Sequence, residues 1–287
     1  MSRRLSDTTP ETEAILTDLL RPTPPWRKLQ MVDEMNALVR RMALSGLHER
    51  HPQVSSEELQ RRLADVLLGP ELAEKAYGSR MPDAASKLIS KGELMVMNAN
   101  AAEITLLVCR AFEELGIPYV IGGSLASAVH GHSRSTYDCD IVAGIYPQHV
   151  PELMARLHEE FYISEAAIYE ALERRSSFNL IHLGSLFKVD VFVQKERPFE
   201  QAQLARGRAH IVADDPERMA VVASPEDVIL AKLEWYRLGG ESSERQWEDV
   251  LGVLRVQGDR LDRRYLKEMA AELGVTDLLE RAEAKAL

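Results

Sequence analysis

Ile121-Gly122-Gly123-Ser124, then Arg134, then Asp138-Cys139-Asp140-Ile141-Val142, form the stretch that decides how this chain is read. Residues i and i+2 of a strand point to the same face, about 7 Å apart along the backbone. Asp138 and Asp140 therefore stand side by side, while Cys139 and Ile141 turn toward a core. Two adjacent carboxylates repel unless a cation or a proton resolves the conflict. An oxygen-only pair suits Mg²⁺ or Mn²⁺, which keep waters and complete their shell with substrate phosphates. A third acid lies in Lys188-Val189-Asp190-Val191-Phe192-Val193, where the valines share one face and Asp190 takes the other. If that strand pairs beside the first, Asp138, Asp140 and Asp190 meet. That is the arrangement of a two-metal phosphoryl or nucleotidyl transfer site, with ions ~4 Å apart.

The glycines upstream fit the same chemistry. Gly122-Gly123-Ser124 falls between a strand, Tyr119-Val120-Ile121, and a short helix over 124–130. Glycine lets backbone approach a phosphate closely, and the helix N-terminus directs free N–H groups at an anion that Ser124 also reaches. Arg134 is placed to bind the same phosphates or to stack on a base; the plainer alternative is an ion pair with Asp138.

Working outward, the pattern predicts an α+β chain: a small mixed β-sheet flanked by helices, with an N-terminal helical module and a C-terminal helical segment. Residues 1–26, with four prolines, read as a flexible tail. Residues 27–78 read as the helical module: a helix over 27–47 with Met31, Met35, Leu38 and Met42 on one face and Gly46 as its C-cap, then a helix opened by a Ser55/Glu58 capping box, then a short helix at 71–77. Residues 79–92 read as a linker and 93–115 as a long helix. The core spans 93–223. In it, residues 139–145 form a strand, 151–160 a helix, and 178–182 with 186–193 a hairpin around Gly184-Ser185. The C-terminal segment, 224–287, opens at Ser224-Pro225-Glu226-Asp227, a cap followed by proline and acids in the first turn.

The 287 residues carry 35 Lys and Arg against 45 Asp and Glu, a formal charge of −10. A chain this acidic is a poor general binder of duplex DNA. It counts against tRNA as well, unless Arg197, Arg206, Arg208 and His210 line a groove rather than a solvated loop. Two cysteines, Cys109 and Cys139, make no disulfide framework and fit a reducing cytoplasm. No apolar run reaches 18 residues, so no membrane span is expected. No Cys/His spacing points to zinc, and no G-x-S-x-G elbow makes Ser124 a hydrolase nucleophile. His130 and His132 flank a glycine and read as loop residues.

The combination of Gly-Gly-Ser, a His130-Gly131 pair, Arg134-x-Thr136-x-Asp138-x-Asp140 and a later strand aspartate resembles the nucleotidyltransferase superfamily with a DNA polymerase beta-like palm. Within it, residues 95–255 look most like the bacterial abortive-infection branch, which includes the nucleotidyltransferase toxins of toxin–antitoxin systems. The resemblance implies that Asp138, Asp140 and Asp190 are the catalytic metal ligands and that Gly122, Gly123 and Ser124 hold the nucleotide triphosphate. It places Lys232 where that branch has a helix lysine contacting phosphate; the alternative from its apolar neighbours is a snorkelling lysine. Arg245-Gln246-Trp247-Glu248-Asp249 falls where the branch carries a basic residue and a final aspartate. Gln246 and Trp247 depart from its R-x-K-D form, which leaves Asp249 open between a catalytic and a structural role.

The expected activity is a metal-dependent transfer of NMP from an NTP to an RNA, protein or small-molecule acceptor, with Mg²⁺ or Mn²⁺ as cofactor. A toxin–antitoxin-type enzyme is one form of it, with residues 27–78 as a built-in antitoxin or a self-association arm. The alternative is a catalytically inactive nucleotide-binding or regulatory protein that retains the fold.

Overall fold

The computed structural model describes residues 10–78 and 100–286. In chain order its elements are α1 (Pro10–Leu20), α2 (Pro25–Arg50), α3 (Ser56–Leu68), α4 (Pro70–Tyr77), α5 (Ala101–Glu114), β1 (Tyr119–Ile121), α6 (Gly123–His130), β2 (Asp138–Ala143), α7 (Val150–Leu157), β3 (Phe161–Tyr162), α8 (Glu165–Arg174), β4 (Ser177–His182), β5 (Lys188–Val193), α9 (Pro198–Arg206), β6 (Arg208–Asp214), β7 (Glu217–Val222), α10 (Pro225–Leu238), α11 (Glu244–Gln257), α12 (Arg263–Glu272) and α13 (Thr276–Ala286). The chain is α+β, as its pattern predicts. The expected linker at 79–92 and the first turns of the helix expected from 93 lie outside the described residues. The described part of that helix, α5, is capped by Asn100, whose Oδ1 accepts from the Ala102 N–H at 2.9 Å.

Two compact units divide the described chain. The first comprises the described residues between Val32 and Tyr119, together with Ser135–Gln194. Its strands run in the order β3-β4-β5-β2, with β2 and β5 parallel and β3-β4 and β4-β5 antiparallel. The hairpin expected around Gly184-Ser185 is the β4-β5 pair. Leu186, with φ +61°, takes the left-handed position in its turn. Leu186 is 1% exposed and joins a core of Leu44, Leu47, Leu59, Leu63, Ala64 and Ala73 from α2, α3 and α4. Tyr77 donates its hydroxyl to the carbonyls of His182 and Leu183 at 3.2 and 3.1 Å. The helical module is thus packed onto the hairpin turn. Ser55 caps α3, accepting from the Glu58 N–H at 3.2 Å.

Helix α2 departs from its expected form twice. It runs through Gly46 to Arg50 and stops before His51-Pro52, where proline disfavours a helical residue ahead of it. Its buried stripe is Leu29, Val32, Asn36, Arg40, Leu44 and Leu47, while Leu38 and Met42 are exposed. The methionine stripe is displaced because Asn36 and Arg40 go inside.

The second unit comprises the described residues up to Met31, Val120–Arg134 and the chain from Lys195 onward. Here β1 pairs parallel with β7 (Ile121 opposite Val222), and β6-β7 is an antiparallel hairpin with a bulge between Ile211 and Ala213. Helices α6, α10 and α11 pack together, and α11 also packs on α13. Ser224 caps α10, accepting from the Asp227 N–H at 3.2 Å. The stretch expected to be a loose tail carries α1 instead. This helix lies on α11, where Glu13 pairs with Arg255 and Arg21 donates to the Arg255 carbonyl at 3.0 Å. No helix among the described residues is long and apolar enough to cross a membrane.

Candidate functional site

In the first unit, β2 and β5 alternate strictly between buried and half-buried positions. Their register sets Asp140 opposite Asp190 and Asp138 opposite Lys188. The condition for three carboxylates on one face is therefore met. Behind that face lie Cys139, Ile141, Val189 and Val191, each with no exposure. The face has partners that sequence reasoning did not name. The Thr136 hydroxyl donates to Asp138 Oδ1 at 2.7 Å. The Asn179 amide, opposite Asp190 on β4, donates to Asp190 Oδ1. Lys188 Nζ reaches Asp190 Oδ2 at 2.5 Å.

This donor set is hard oxygen, which fits Mg²⁺ or Mn²⁺. Among the described residues no three or more His, Cys, Asp or Glu side chains converge as a ready metal cage. Asp190 is turned to Lys188 and Asn179; Asp138 and Asp140 could hold a cation between them. Two carboxylates completed by phosphates and water is the ordinary way Mg²⁺ is held beside a nucleotide.

Cys139, between the two acids, has its thiol raised well above the usual range. Burial is the main cause and the neighbouring carboxylates add to it. It is no nucleophile at neutral pH. Cys109 and Cys139 are both free and buried.

In the second unit, Gly122 closes β1 in a non-helical conformation and Gly123 opens α6 at φ +54°, in the left-handed region that glycine tolerates without strain. Ser124 follows, half-buried. Arg134 donates to Ser124 Oγ at 2.7 Å and grips Asp249 through Nε and Nη2, both at 2.9 Å. Lys232 places Nζ 2.8 Å from Asp249 Oδ2 and donates to Gln246 Oε1 at 3.0 Å. The lysine side chain is only 4% exposed, so it does not snorkel. Burial pushes the Asp249 carboxyl up, but the Arg134 hydrogen bonds and the Lys232 charge outweigh it and hold it below the usual range. Asp249 thus holds Lys232 and the Arg134 side chain that reaches Ser124 of the glycine turn. Gln246, which departs from the family pattern, is the second partner of Lys232.

His130 lies at the end of α6, not in a loop. It is buried, bonded through Nε2 to the Ala223 carbonyl at 2.8 Å, and lowered by burial to about 4, so its ring is neutral and donates there. Gly131 follows because α11 passes against it: a Cβ would lie 2.8 Å from the Val253 nitrogen and 2.9 Å from the Gly252 carbonyl carbon. The stretch 197–208 is neither a basic groove nor a solvated loop. Arg197 pairs with Glu200 and Glu234, and Arg206 pairs with Glu226 and stacks on Tyr265 at 3.8 Å.

The acids thus lie in the first unit, and Gly122, Gly123, Ser124, Arg134 and Lys232 in the second.

The model of the Rv0078B-related antitoxin family matches residues 21–86, which take in the helical module. No curated protein matches the chain. The solved structures to which it is similar include an antigenic nucleotidyltransferase-like protein from Paracoccidioides brasiliensis, at 16% identity and TM-score 0.42 over 64% of this chain and 92% of that one. Antibiotic-resistance factor ANT(2'')-Ia aligns at 14% identity and TM-score 0.40 over 64% and 97%. Lincosamide antibiotic adenylyltransferase LnuA, lincomycin-bound, aligns at 16% identity and TM-score 0.37 over 55% and 98%.

Proposed function

We propose that the chain is a metal-dependent nucleotidyltransferase that moves NMP from an NTP to an acceptor. The observation that carries the reading is the placement of Asp138, Asp140 and Asp190 on one face of paired parallel strands, with Asp140 opposite Asp190. Asp138 and Asp140 would hold Mg²⁺ or Mn²⁺, with Asp190 joining them on release from Lys188. The cation supplies charge neutralisation at the phosphates and a lowered pKa for the attacking hydroxyl. Gly122, Gly123 and Ser124 take the triphosphate on the α6 N-terminus, and Arg134, oriented by Asp249, binds its oxygens. Lys232 adds positive charge to the same cluster. The acceptor oxygen bonds to the α-phosphorus, the bond to the β-phosphate bridging oxygen breaks, pyrophosphate leaves, and the acceptor proton passes to solvent. The acceptor is an RNA, a protein or a small molecule. The antitoxin-family match over 21–86 supports the toxin–antitoxin form, with the helical module as the built-in partner.

A second reading, a nucleotide-binding protein without turnover, is favoured by one observation: Asp190 is already satisfied by Lys188 and Asn179. One experiment addresses both. ATP, CTP, GTP and UTP are each added with and without Mg²⁺ to the wild type and to Asp138→Ala/Asp140→Ala, and unfolding is followed. A ligand at 100 times its Kd stabilises by ~2.7 kcal/mol. Metal-dependent stabilisation lost in the double variant, with pyrophosphate release once an acceptor is supplied, is the expected result. Binding without release under any acceptor favours the second reading, and no stabilisation by any nucleotide overturns both.

A further inference from the structure

We propose that Asn36, on helix α2 of the N-terminal module, is a positioning residue for Asp138. It acts through the Thr136 peptide, fixing the hydroxyl that orients the Asp138 carboxylate. The inference rests on the reading that Asp138 takes a divalent cation.

Asn36 is 7% exposed and spends both ends of its amide on one short segment. Its Nδ2 donates to the Thr136 carbonyl at 2.7 Å. Its Oδ1 accepts from the Thr136 N–H at 3.0 Å and from the Ser135 hydroxyl at 2.7 Å. A side chain that satisfies both the N–H and the C=O of one residue does what a neighbouring strand would do, at a point where the chain has just left Arg134 and not yet entered β2. The next residue is fastened to the same helix. Tyr137 donates its hydroxyl to the Asn36 carbonyl at 3.0 Å, and the Arg40 guanidinium lies 5.6 Å over the Tyr137 ring.

With its peptide held, Thr136 has one remaining freedom, χ1, and a β-branched side chain has few rotamers to choose from. The observed rotamer aims the hydroxyl at Asp138 Oδ1, 2.7 Å away. A carboxylate oxygen keeps further lone pairs when it accepts one hydrogen bond. Asp138 is therefore fixed in orientation without losing its capacity to bind a cation. Only an amide does all of this at position 36. Aspartate has no donor for the Thr136 carbonyl, and leucine would orphan both the carbonyl and the N–H. The segment that matches an antitoxin family thus contributes a supporting group to the acidic face, as a built-in part of it.

The test uses the full-length chain and Mn²⁺ alone, titrated by calorimetry without nucleotide. Variants are Asn36→Ala, Thr136→Val, their double, Thr136→Ser and Asp138→Asn. Groups that orient a metal-binding side chain are worth roughly 10–100-fold in metal affinity. Asn36→Ala and Thr136→Val should each weaken Mn²⁺ binding by about that factor. The double should weaken it little beyond the larger single effect, because both act along one path. Thr136→Ser, which keeps the hydroxyl, should restore affinity to within about threefold. Asn36→Ala and Thr136→Val that bind Mn²⁺ like the wild type, whatever their melting temperatures, overturn the proposal while Asp138→Asn still abolishes binding. Should Asn36→Ala fail to fold, Thr136→Val decides, since it removes one hydroxyl and nothing of the Asn36 anchor. Mn²⁺ binding that survives Asp138→Asn overturns the metal reading and this inference with it.

Discussion

Asp249→Ala should be among the most damaging single changes in the second unit, and its cost follows from what it leaves behind. The Asp249 side chain is 5% exposed and that of Lys232 4%. Removing the carboxylate strands a nearly buried ammonium, and breaking a buried ion pair from one side costs ~3–5 kcal/mol. Two features set the value near the lower end. Lys232 keeps its hydrogen bond to Gln246 at 3.0 Å. The Arg134 side chain is 33% exposed, so its charge is partly screened once released. About 3 kcal/mol corresponds to a Tm lowered by roughly 6–12 °C at this chain length. Lys232→Met alone leaves Asp249 with Arg134 and should cost only ~1–2 kcal/mol.

The double variant Asp249→Ala/Lys232→Met should be more stable than Asp249→Ala, because the stranded charge is gone. Urea unfolding of the four proteins gives the coupling directly. The pH dependence has a defined sign. Asp249 is held below its usual range by the Arg134 hydrogen bonds and the Lys232 charge, against burial. Its contribution is therefore present above pH ~4 and lost as pH falls through the lowered value. Asp249→Ala should flatten that acid limb. An Asp249→Ala protein within ~1 kcal/mol of the wild type, or singles whose effects simply add, would refute the reasoning.

Gly131→Ala should destabilise by ~1–3 kcal/mol in urea unfolding, since its Cβ would meet backbone of α11 at 2.8 and 2.9 Å and backbone cannot rotate aside. Asp33 has its carboxyl pushed up from 3.8 to about 7, by burial against the hydrogen bond from the Ala101 N–H. Its folded value lies above its unfolded one, so the native state binds the extra proton and stability falls as pH rises across that interval; Asp33→Asn should remove the fall, and an unchanged slope between pH 4 and 7 would count against it. Lys188→Met removes the ammonium that competes for Asp190 and should tighten Mn²⁺ binding roughly fivefold, the ~1 kcal/mol of a partly exposed ion pair; weaker binding would make Lys188 a support for Asp190.

The acidic face was legible because its signal is local and periodic. Alternation in Asp138-Cys139-Asp140-Ile141 and in Val189-Asp190-Val191 fixes which side chains share a face before any partner is known. The cap at Ser224-Pro225 is equally local, and α10 begins there. What the sequence hid depends on distant partners. Asn36 and Arg40 lie off the Met31, Met35, Leu38 and Met42 stripe, yet they are buried, because the Thr136 peptide and the Tyr137 ring, about 100 positions away, receive them. Asn179 flanks Asp190 only once β4 and β5 pair, whereas Lys188 shares its face within β5 itself. β6 and β7 carry no clean apolar alternation, because half-buried His210 and Arg218 share their inward side with buried Val212, Ala220 and Val222. Residues 10–20 lie in a proline-flanked stretch that reads as a tail, although Ala14-Ile15-Leu16 and Leu19-Leu20 behind Glu11 and Glu13 mark a helix, and α1 packs on α11.

The physical division of labour on the acidic face follows from what lies behind it. Ile141, Val189, Val191 and Val193 are at most 2% exposed. A slip of β5 by one residue against β2 would turn Val189, Val191 and Val193 to the face and Asp190 to the core. At ~1.5–3 kcal/mol for each of these three buried side chains, the apolar loss alone is about 4.5–9 kcal/mol, comparable with a whole domain's stability. The register cannot drift while the unit stays folded, so the Cα positions of Asp138, Asp140 and Asp190 are as rigid as the core. What remains adjustable is where each carboxylate points, and that is decided by Thr136 at Asp138 and by Asn179 and Lys188 at Asp190. Two of those three groups sit beside the acids in the sheet. The third is held by a helix from the opposite end of the first unit's sequence, which makes the N-terminal module the element through which the acidic face can be tuned without disturbing the strands that carry it.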